Sequence, residues 1–397
     1  MASFLLAIIY LAFISLGLPD SLLGSAWPEM HQVMGVELSS LGIVTTLISF
    51  GTVISSLFSD KLVRKFSTQA VVTVSVGLTA IGLLGFSLAP SFAALCIFTI
   101  PYGFGAGSID AALNNYVALH YTSRHMSWLH CFWGVGTVVS PYIMSYALGT
   151  DLGWVGGYRI VGGLQISILM ILIFTLPVWK KVNHKSGIDS DAENSTDGTK
   201  QSAGLIGSLK IKGVPYVLLG FMGYCAAEST VMVWASTYFF EAKSTTEELA
   251  AALGSLFFIG MTVGRFFSGF ISDKVGDKNM IRLGLALSAI GVIVIAIPAE
   301  IAVSITGFLL IGLGFAPIYP SIIHSTPKSF GKENSQAIIG IQMAAAYLGA
   351  TLAPPIFGLI ANYVEVKLLP LYLAVFMLIS FVMLELLNKK NSTEESN

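Results

Sequence analysis

Three acidic residues lie inside long apolar stretches of the sequence, where a charged side chain is unusual. They are Asp20, Asp110 and Glu228. A carboxyl group in hydrocarbon costs several kcal/mol unless it is neutral, paired or facing water, so each of these residues is a functional candidate. Such a group can take a proton from one side of a membrane and release it to the other. We therefore predict that these three acids carry proton coupling.

The depths of the two N-terminal acids differ. Asp20 lies about 16 residues into the first apolar segment, hence about 24 Å from its start and in the outer half. A helix-end acid at the outer water interface is the alternative, because Pro19 precedes Asp20 and Pro28 follows Trp27 at the expected end of the segment. Asp110 lies somewhat below the midplane of the fourth segment, with Asn114 one turn away on the same face. The two acids would then bracket a cavity.

Other polar and aromatic side chains could complete this cavity. Aromatic rings stack on the apolar faces of sugars, while amides, imidazoles and carboxylates bind hydroxyl groups. For each aromatic residue, a role in packing or in an interfacial belt is at least as good an interpretation. Glu228 fits either a cavity acid or a structural hydrogen-bond partner. The predicted substrate-binding residues are Asp20, Asp110, Asn114, His130, Trp234, Tyr319 and Gln342.

The composition places these residues in a membrane protein. Of 397 residues, 54% are hydrophobic and 11% are charged, whereas a soluble domain carries about 25% charged residues. The formal net charge of -1 comes without a basic stripe, so we expect no nucleic-acid partner. Cys96, Cys131 and Cys225 have spacings that fit neither a disulfide framework nor a zinc site. We expect no metal and no other cofactor.

The fold class predicted is an all-α membrane protein, with twelve transmembrane helices in two pseudo-symmetric six-helix bundles. A helix needs about 20 apolar residues to cross the bilayer. The first segment has no cationic leader region before it, so we expect it to be retained. The predicted segments are 4–26, 39–58, 69–89, 92–117, 128–149, 158–179, 213–239, 249–271, 280–298, 301–323, 335–361 and 369–388.

A polar stretch, residues 180–212, separates the sixth segment from the seventh. It is rich in Ser, Gly, Asp, Asn and Lys and cannot bury a core, which is typical of a linker. We therefore predict an N-terminal bundle at 1–179 and a C-terminal bundle at 213–397 with a short tail. Lys and Arg concentrate in loops on one side, which indicates that both termini are cytoplasmic.

The two halves repeat short motifs at one common offset. The repeated pairs are Ser59-Asp60-Lys61 with Ser272-Asp273-Lys274, Gly136 with Gly349, and Pro141 with Pro354. Parallel repeats of six helices place a substrate cavity between the halves near the midplane.

The repeated loops themselves have two interpretations. An Asp in such a turn can meet basic residues or a neighbouring helix terminus, so Asp60, Arg64, Asp273 and Lys274 are predicted to latch the cytoplasmic side. A solvated loop that only enforces topology is the alternative. Arg265, near the inner end of the eighth segment, is expected to reach the interface or to pair with this loop.

The loop at residues 269–278, GFISDKVGDK, closely resembles the signature loop of the major facilitator superfamily. Its counterpart at residues 56–65 keeps the acid and the bases but lacks both glycines. The resemblance covers nearly the whole chain. It implies two six-helix bundles and transport by alternating access.

Further segments resemble the fucose permease-like branch, the fucose-galactose-glucose:proton symporters. In that branch the acids of the first and fourth helices serve proton coupling and sugar binding, which implies these roles for Asp20 and Asp110. Asp110 stands where the founding permease has Glu, and His130 stands where it has an amide. The segments that carry the resemblance are residues 103–114 and 129–136, together with Asp20, Glu228, Trp234 and residues 317–320.

Gly103, Gly105 and Gly107 do not form a phosphate-binding loop, because no strand precedes them and they lie in an apolar run. We expect that they let the fourth helix approach a neighbour closely.

The leading hypothesis is a secondary active transporter for proton-coupled symport of a hexose or related sugar. Its expected partners are a small-molecule substrate, protons and the lipid bilayer. We expect it to act as a monomer in a bacterial inner membrane. Proton-driven export of drugs or amphiphilic molecules is the alternative, and the coupling ion could be sodium. A sensor or scaffold is disfavoured by the lack of a sizeable soluble domain. An enzyme is disfavoured by the lack of a catalytic triad, metal cluster or nucleotide motif.

Overall fold

The computed structural model describes residues 2–37, 40–185, 204–245 and 247–395. Every regular element in these ranges is helical. These elements include a π-helical turn, Tyr238–Ala242, and a 3₁₀ turn, Val366–Leu368. The helices are α1 (Ala2–Asp20), α2 (Leu22–Val33), α3 (Leu41–Phe66), α4 (Thr68–Leu88), α5 (Phe92–His120), α6 (Ser123–Leu148), α7 (Gly153–Lys185), α8 (Gly204–Leu209), α9 (Val214–Thr237), α10 (Glu247–Gly254), α11 (Leu256–Val275), α12 (Asp277–Ala296), α13 (Ile301–Phe315), α14 (Ile318–Phe330), α15 (Lys332–Tyr363) and α16 (Leu369–Glu395).

Eleven helical spans in the described residues are long and apolar enough to cross a membrane. They correspond to the predicted segments except the eighth, which consists of α10 and α11. α11 carries Arg265, Asp273 and Lys274, and these charges reduce its apolar character. The all-helical membrane class predicted from the sequence is therefore observed. Most of the predicted linker, residues 186–203, lies outside the described residues, and α8 lies within its C-terminal part.

The first apolar segment continues beyond its predicted end. Pro28 lies within α2 without ending it, and the helix runs on to Val33. The interruption comes earlier, at Ser21, between α1 and α2. Pro19 lies two residues before this break, and it removes one backbone N–H donor from the last turns of α1. Asp20 therefore lies at a break inside a long helical span, followed by the 12 residues of α2.

The tenth segment is also interrupted. α13 ends at Phe315, and α14 begins at Ile318, directly after Pro317. Proline fixes its φ angle and is tolerated in the first turn of a helix, so Pro317 suits the start of a new helix better than the interior of a continuous one. The break places Tyr319 in the first turn of α14.

Contacts divide the chain into two compact units. Unit 1 contains Met1–Tyr116 and Phe132–Gly204, and unit 2 contains Val117–Cys131 and Leu205–Asn397. In unit 1, α4 packs on α7 and α1 packs on both. In unit 2, α9 packs on α15 and α16, while α13 packs on α11 and α12. The two six-helix bundles at 1–179 and 213–397 stay a prediction from the sequence.

Glycines allow the helices of unit 1 to approach closely. A Cβ atom at Gly103 would lie 2.6 Å from the Ile48 carbonyl oxygen, and one at Gly105 would lie 2.5 Å from the Ser75 carbonyl oxygen. Any side chain at either position would force the helices apart. The packing interpretation of this glycine run is therefore supported by the structure.

Candidate functional site

Asp20 is positioned by a close crossing of α1 and α6 in unit 1. Gly17 lies against the Trp133 carbonyl, and a Cβ atom at Gly136 would lie 2.5 Å from the Ile14 carbonyl oxygen. Only glycine fits this crossing. One turn beyond Gly17, Asp20 meets the Trp133 side chain, whose indole N–H donates to Asp20 Oδ2 at 2.8 Å.

A second donor reaches Asp20 from α5. The Tyr102 hydroxyl group donates to Asp20 Oδ1 at 3.2 Å. Tyr102 and Trp133 are both neutral, so they orient the carboxylate without cancelling its charge. Each carboxylate oxygen has two lone pairs and keeps the capacity to accept a further hydrogen bond.

Asp20 is exposed, and it borders a cavity of about 320 Å³ within unit 1. This volume lies at the lower end of the range for ligand pockets, about 300–1,000 Å³. Asp20 is the one carboxylate among the lining residues, and none of them is basic. The lining residues are Pro19, Asp20, Leu23, Gly24, Leu41, Thr45, Ile48, Ser49, Leu83, Phe86, Tyr102 and Tyr158.

Asp110 lies in α5 and is buried, with 5% of its surface exposed. The Asn114 side-chain amide donates to Asp110 Oδ1 at 2.7 Å and to its backbone carbonyl at 3.0 Å. Asp110 is not among the residues that line the cavity. The two predicted acids thus share unit 1, one in a cavity wall and one in the packed interior.

Glu228 in unit 2 has a different partner. Arg265 Nη2 lies 3.1 Å from Glu228 Oε1, and the two side chains are 5% and 11% exposed respectively. The expectation that Arg265 reaches the interface or the following loop is wrong. A buried cation needs a partner, and Glu228 on α9 provides one inside the unit.

His130 and Tyr319 form a second buried contact in unit 2. Their rings lie 4.5 Å apart at 59°, and the Tyr319 hydroxyl group donates to Met343 Sδ at 3.1 Å. Phe221 packs edge-on against Tyr319 at 4.7 Å. These two candidates therefore lie together, as part of an aromatic cluster.

Trp234 and Gln342 also lie in unit 2, in separate surroundings. The Trp234 indole N–H donates to the Pro354 carbonyl at 2.9 Å, which is a packing contact. Gln342 Oε1 accepts from Thr326 at 3.0 Å. Gln342 Nε2 is buried without a hydrogen-bond partner in the described residues. Unit 1 thus contains Asp20, Asp110 and Asn114, and unit 2 contains the other predicted substrate-binding residues.

Asp273 binds the start of α6 within unit 2. Its Oδ1 accepts from the Arg124 backbone N–H at 2.9 Å, and its Oδ2 accepts from the Thr122 hydroxyl group at 3.0 Å. Arg124 Nε lies 3.3 Å from the same Oδ2. A carboxylate at the N-terminus of a helix stabilises its free N–H groups and its dipole.

The N-terminal counterpart is arranged differently. Asp60 Oδ1 pairs with Arg64 Nε at 2.8 Å, one turn further along the same helix. Lys274, the fourth predicted latch residue, is exposed. The two repeated loops therefore have similar sequences and different contacts.

Asp277 was not predicted, and together with His324 it binds the same loop. The Ser123 hydroxyl group donates to Asp277 Oδ1 at 2.6 Å, and His324 Nδ1 lies 2.7 Å from Asp277 Oδ2. His324 Nε2 lies 3.1 Å from the Tyr121 carbonyl oxygen. Both ring nitrogens of His324 face acceptor oxygens. A neutral His324 beside an ionised Asp277 has only one N–H and can make one of these two hydrogen bonds, so one additional proton on the His324–Asp277 pair is needed to make both.

Two further groups of residues were missed by sequence reasoning. Tyr102 and Trp133 give no sequence signal for their contact with Asp20, since aromatic residues are common throughout the chain. The pairing of Glu228 with Arg265 did have a signal. Opposite charges in neighbouring apolar segments are expected to pair, because each is costly alone in hydrocarbon.

Comparison with known proteins identifies the family. The sequence profile of the Major Facilitator Superfamily matches residues 9–245 and 217–397. The chain belongs to this superfamily, and it is a multi-pass integral membrane transporter.

Three curated relatives illustrate the range of similar proteins. The chain is 24% identical over 390 residues to Bypass of stop codon protein 6 of Saccharomyces cerevisiae, covering 90% of this chain and 77% of that protein. It is 19% identical to the glucose/mannose transporter GlcP of Bacillus subtilis, covering 78% and 77%. It is 20% identical to Multidrug resistance protein 2 of the same organism, covering 90% and 87%.

Solved structures share the fold. The E. coli fucose:proton symporter FucP matches with a TM-score of 0.75 at 14% identity, covering 96% of this chain and 98% of that chain. The proton:xylose symporter XylE matches with a TM-score of 0.76 at 16% identity, covering 96% and 95%. The predicted major facilitator fold is thereby confirmed.

Proposed function

We propose that this chain is a secondary active transporter that couples proton flow to the import of a hexose or related sugar by alternating access. The observation that carries the proposal is Asp20, a carboxylate exposed in a cavity of about 320 Å³ and held by neutral donors. Such a carboxylate can be neutralised by a proton and can accept hydrogen bonds from substrate hydroxyl groups.

The charge of the cavity supports a neutral substrate. Its lining has one acid and no base, so a carboxylate or phosphate ligand would be repelled. One relative is a glucose/mannose transporter, and two structural neighbours are a fucose:proton symporter and a proton:xylose symporter, which agrees with a sugar.

Asp110 is the principal proton-coupling carboxylate in this proposal, and Asp20 assists it. Asp110 is buried beside Asn114, and it lies in the same unit as Asp20. A carboxyl group inside the membrane is costly when charged, so a buried acid is a candidate to bind and release a proton.

The proposal is tested by uptake into proteoliposomes. Labelled hexoses should accumulate against their gradient when a proton gradient is imposed, and should only equilibrate without one. Protein-free liposomes and an imposed sodium gradient are the controls. Absence of hexose uptake, together with proton-driven extrusion of an amphiphilic dye, would replace the proposal with the export function.

A further inference from the structure

The face of α3 that borders the cavity carries two hydroxyl side chains. Thr45 and Ser49 are one helical turn apart, so they project from the same side of α3. Thr45 is exposed and Ser49 is half-buried. The Thr45 hydroxyl group donates to the Leu41 carbonyl of its own helix at 3.1 Å. Towards a ligand, Thr45 therefore offers lone pairs rather than a proton.

Hydrogen-bond donors are fewer than acceptors in this cavity. Tyr102 uses its hydroxyl proton on Asp20, and the Asp20 carboxylate has no proton to give when ionised. Tyr158 contributes the one hydroxyl group in the lining that is buried and has no hydrogen-bond partner in the described residues. Asp20, Thr45 and Tyr102 thus present acceptors, whereas Ser49 and Tyr158 can also donate. A ligand that matches the first three residues must bring O–H donors.

Apolar side chains complete the cavity. Leu83 and Phe86 are almost fully buried in its wall, and Tyr158 holds the Phe86 ring edge-on at 5.6 Å. An aromatic ring suits the C–H face of a sugar. A small ring with hydroxyl groups on its rim and C–H groups on its face satisfies both parts of this lining.

We propose that this cavity is a monosaccharide subsite in which Thr45 and Ser49, together with Asp20, select the hydroxyl arrangement of the sugar. The inference rests on the proposed function and adds the residues of α3 to it. A protonated amine is the competing ligand, because its N–H groups can donate to the Asp20 carboxylate as sugar O–H groups can.

The test uses the purified full-length protein in nanodiscs and measures sugar affinity by calorimetry. The ligands are the hexose that accumulates best and its monodeoxy analogues. Thr45→Val and Ser49→Ala remove a hydroxyl group with little change of shape, and each should weaken binding about 3- to 10-fold, the worth of one hydrogen bond. One deoxy analogue should bind weakly to the unchanged protein because it lacks the hydroxyl group that Thr45 or Ser49 contacts. The variant that lacks this protein hydroxyl group should bind the deoxy analogue and the parent sugar with equal affinity.

Two sets of variants keep the result interpretable. Thr175→Val and Ser167→Ala remove hydroxyl groups that bond to carbonyls of α7 outside the cavity, and they should leave affinity unchanged. Thr45→Ser keeps the hydroxyl group and should retain most of the affinity, which separates loss of the hydroxyl group from loss of folding.

The outcomes distinguish failure of the subsite from failure of the proposed function. If the unchanged protein accumulates a hexose while Thr45→Val and Ser49→Ala bind all analogues normally, the subsite is wrong and the proposed function stands. If the unchanged protein accumulates no hexose, both fail. If protonated benzylamine binds and loses affinity in these variants while sugars do not bind, the cavity takes organic ammonium ions and the inference is overturned.

Discussion

Asp20 in unit 1 and Glu228 in unit 2 are both acids inside apolar helices, yet their partners differ in charge. Asp20 accepts hydrogen bonds from the neutral side chains of Tyr102 and Trp133 and borders a cavity. Glu228 is buried in an ion pair with Arg265. The first arrangement leaves a net charge that a proton or a ligand can satisfy. The second is already neutral as a pair, so it fits a structural role better than a proton carrier.

The largest effect is expected from breaking the ion pair. Arg265→Met leaves Glu228 buried without its partner, and loss of one member of such a pair costs about 3–5 kcal/mol of stability. The double variant Arg265→Met with Glu228→Gln should regain much of this loss. Unfolding in detergent measures both, and Arg159→Gln, at an exposed site, is the control. Equal stability of the single and double variants would show that the pair does not act as a unit.

The second-largest effect is expected from Asp110→Asn, and it concerns proton coupling rather than protein stability. Asp110→Asn keeps the size of the side chain and most hydrogen bonds but removes the titrating proton, so uphill accumulation should be abolished. Substrate counterflow, which needs no net proton movement, should continue. Accumulation driven by a proton gradient alone in Asp110→Asn would refute the assignment, and Asp20 or Glu228 would become the leading candidate.

Glu228→Gln sharpens the same comparison. The glutamine side chain can still accept a hydrogen bond from Arg265. Substrate accumulation per folded molecule should therefore continue although residue 228 can no longer carry a charge. Normalising uptake to the amount of folded protein separates this result from a loss of stability. If Glu228→Gln loses accumulation but keeps counterflow, the ion pair takes part in coupling and the contrast with unit 1 does not hold.

A smaller effect is expected at the repeated loops. Asp273 contacts Thr122 and Arg124 at the start of α6, whereas Asp60 pairs within its own helix. Asp273→Asn weakens charge-assisted hydrogen bonds and should slow transport by about 10-fold. Asp60→Asn should slow it by less than about 3-fold. Equilibrium substrate binding should change by no more than a few-fold in either, and lost binding in a folded variant would contradict a latch.

The smallest effect is expected from the linker. Deleting residues 189–198, which lie outside the described residues, should preserve uptake, because a polar chain without a core tolerates a change of length at small entropic cost. Scrambling the same residues is the control. Abolished uptake with normal membrane insertion would mean that the segment has a specific role.

Much of the fold was predictable from the sequence because each feature is local. Long apolar runs must form helices in a membrane, where every backbone polar group needs an internal partner. Asn114 could be placed beside Asp110 because residues one turn apart face the same side of a helix. The extension of α2 past Pro28 was missed, since a proline can be accommodated within a helix when its neighbours satisfy the freed carbonyl group.

The sequence by itself determined the membrane class, the helical segments and the superfamily, since apolar run length and short loop motifs are local properties. Only the tertiary structure decided which partner each acid has. Trp133 reaches Asp20 because Gly17 and Gly136 let two helices cross in near contact, and Arg265 reaches Glu228 across unit 2. Residues distant in sequence meet through helix packing, and the charge of the partner decides whether an acid inside an apolar helix remains available to a proton or is held in a neutral pair.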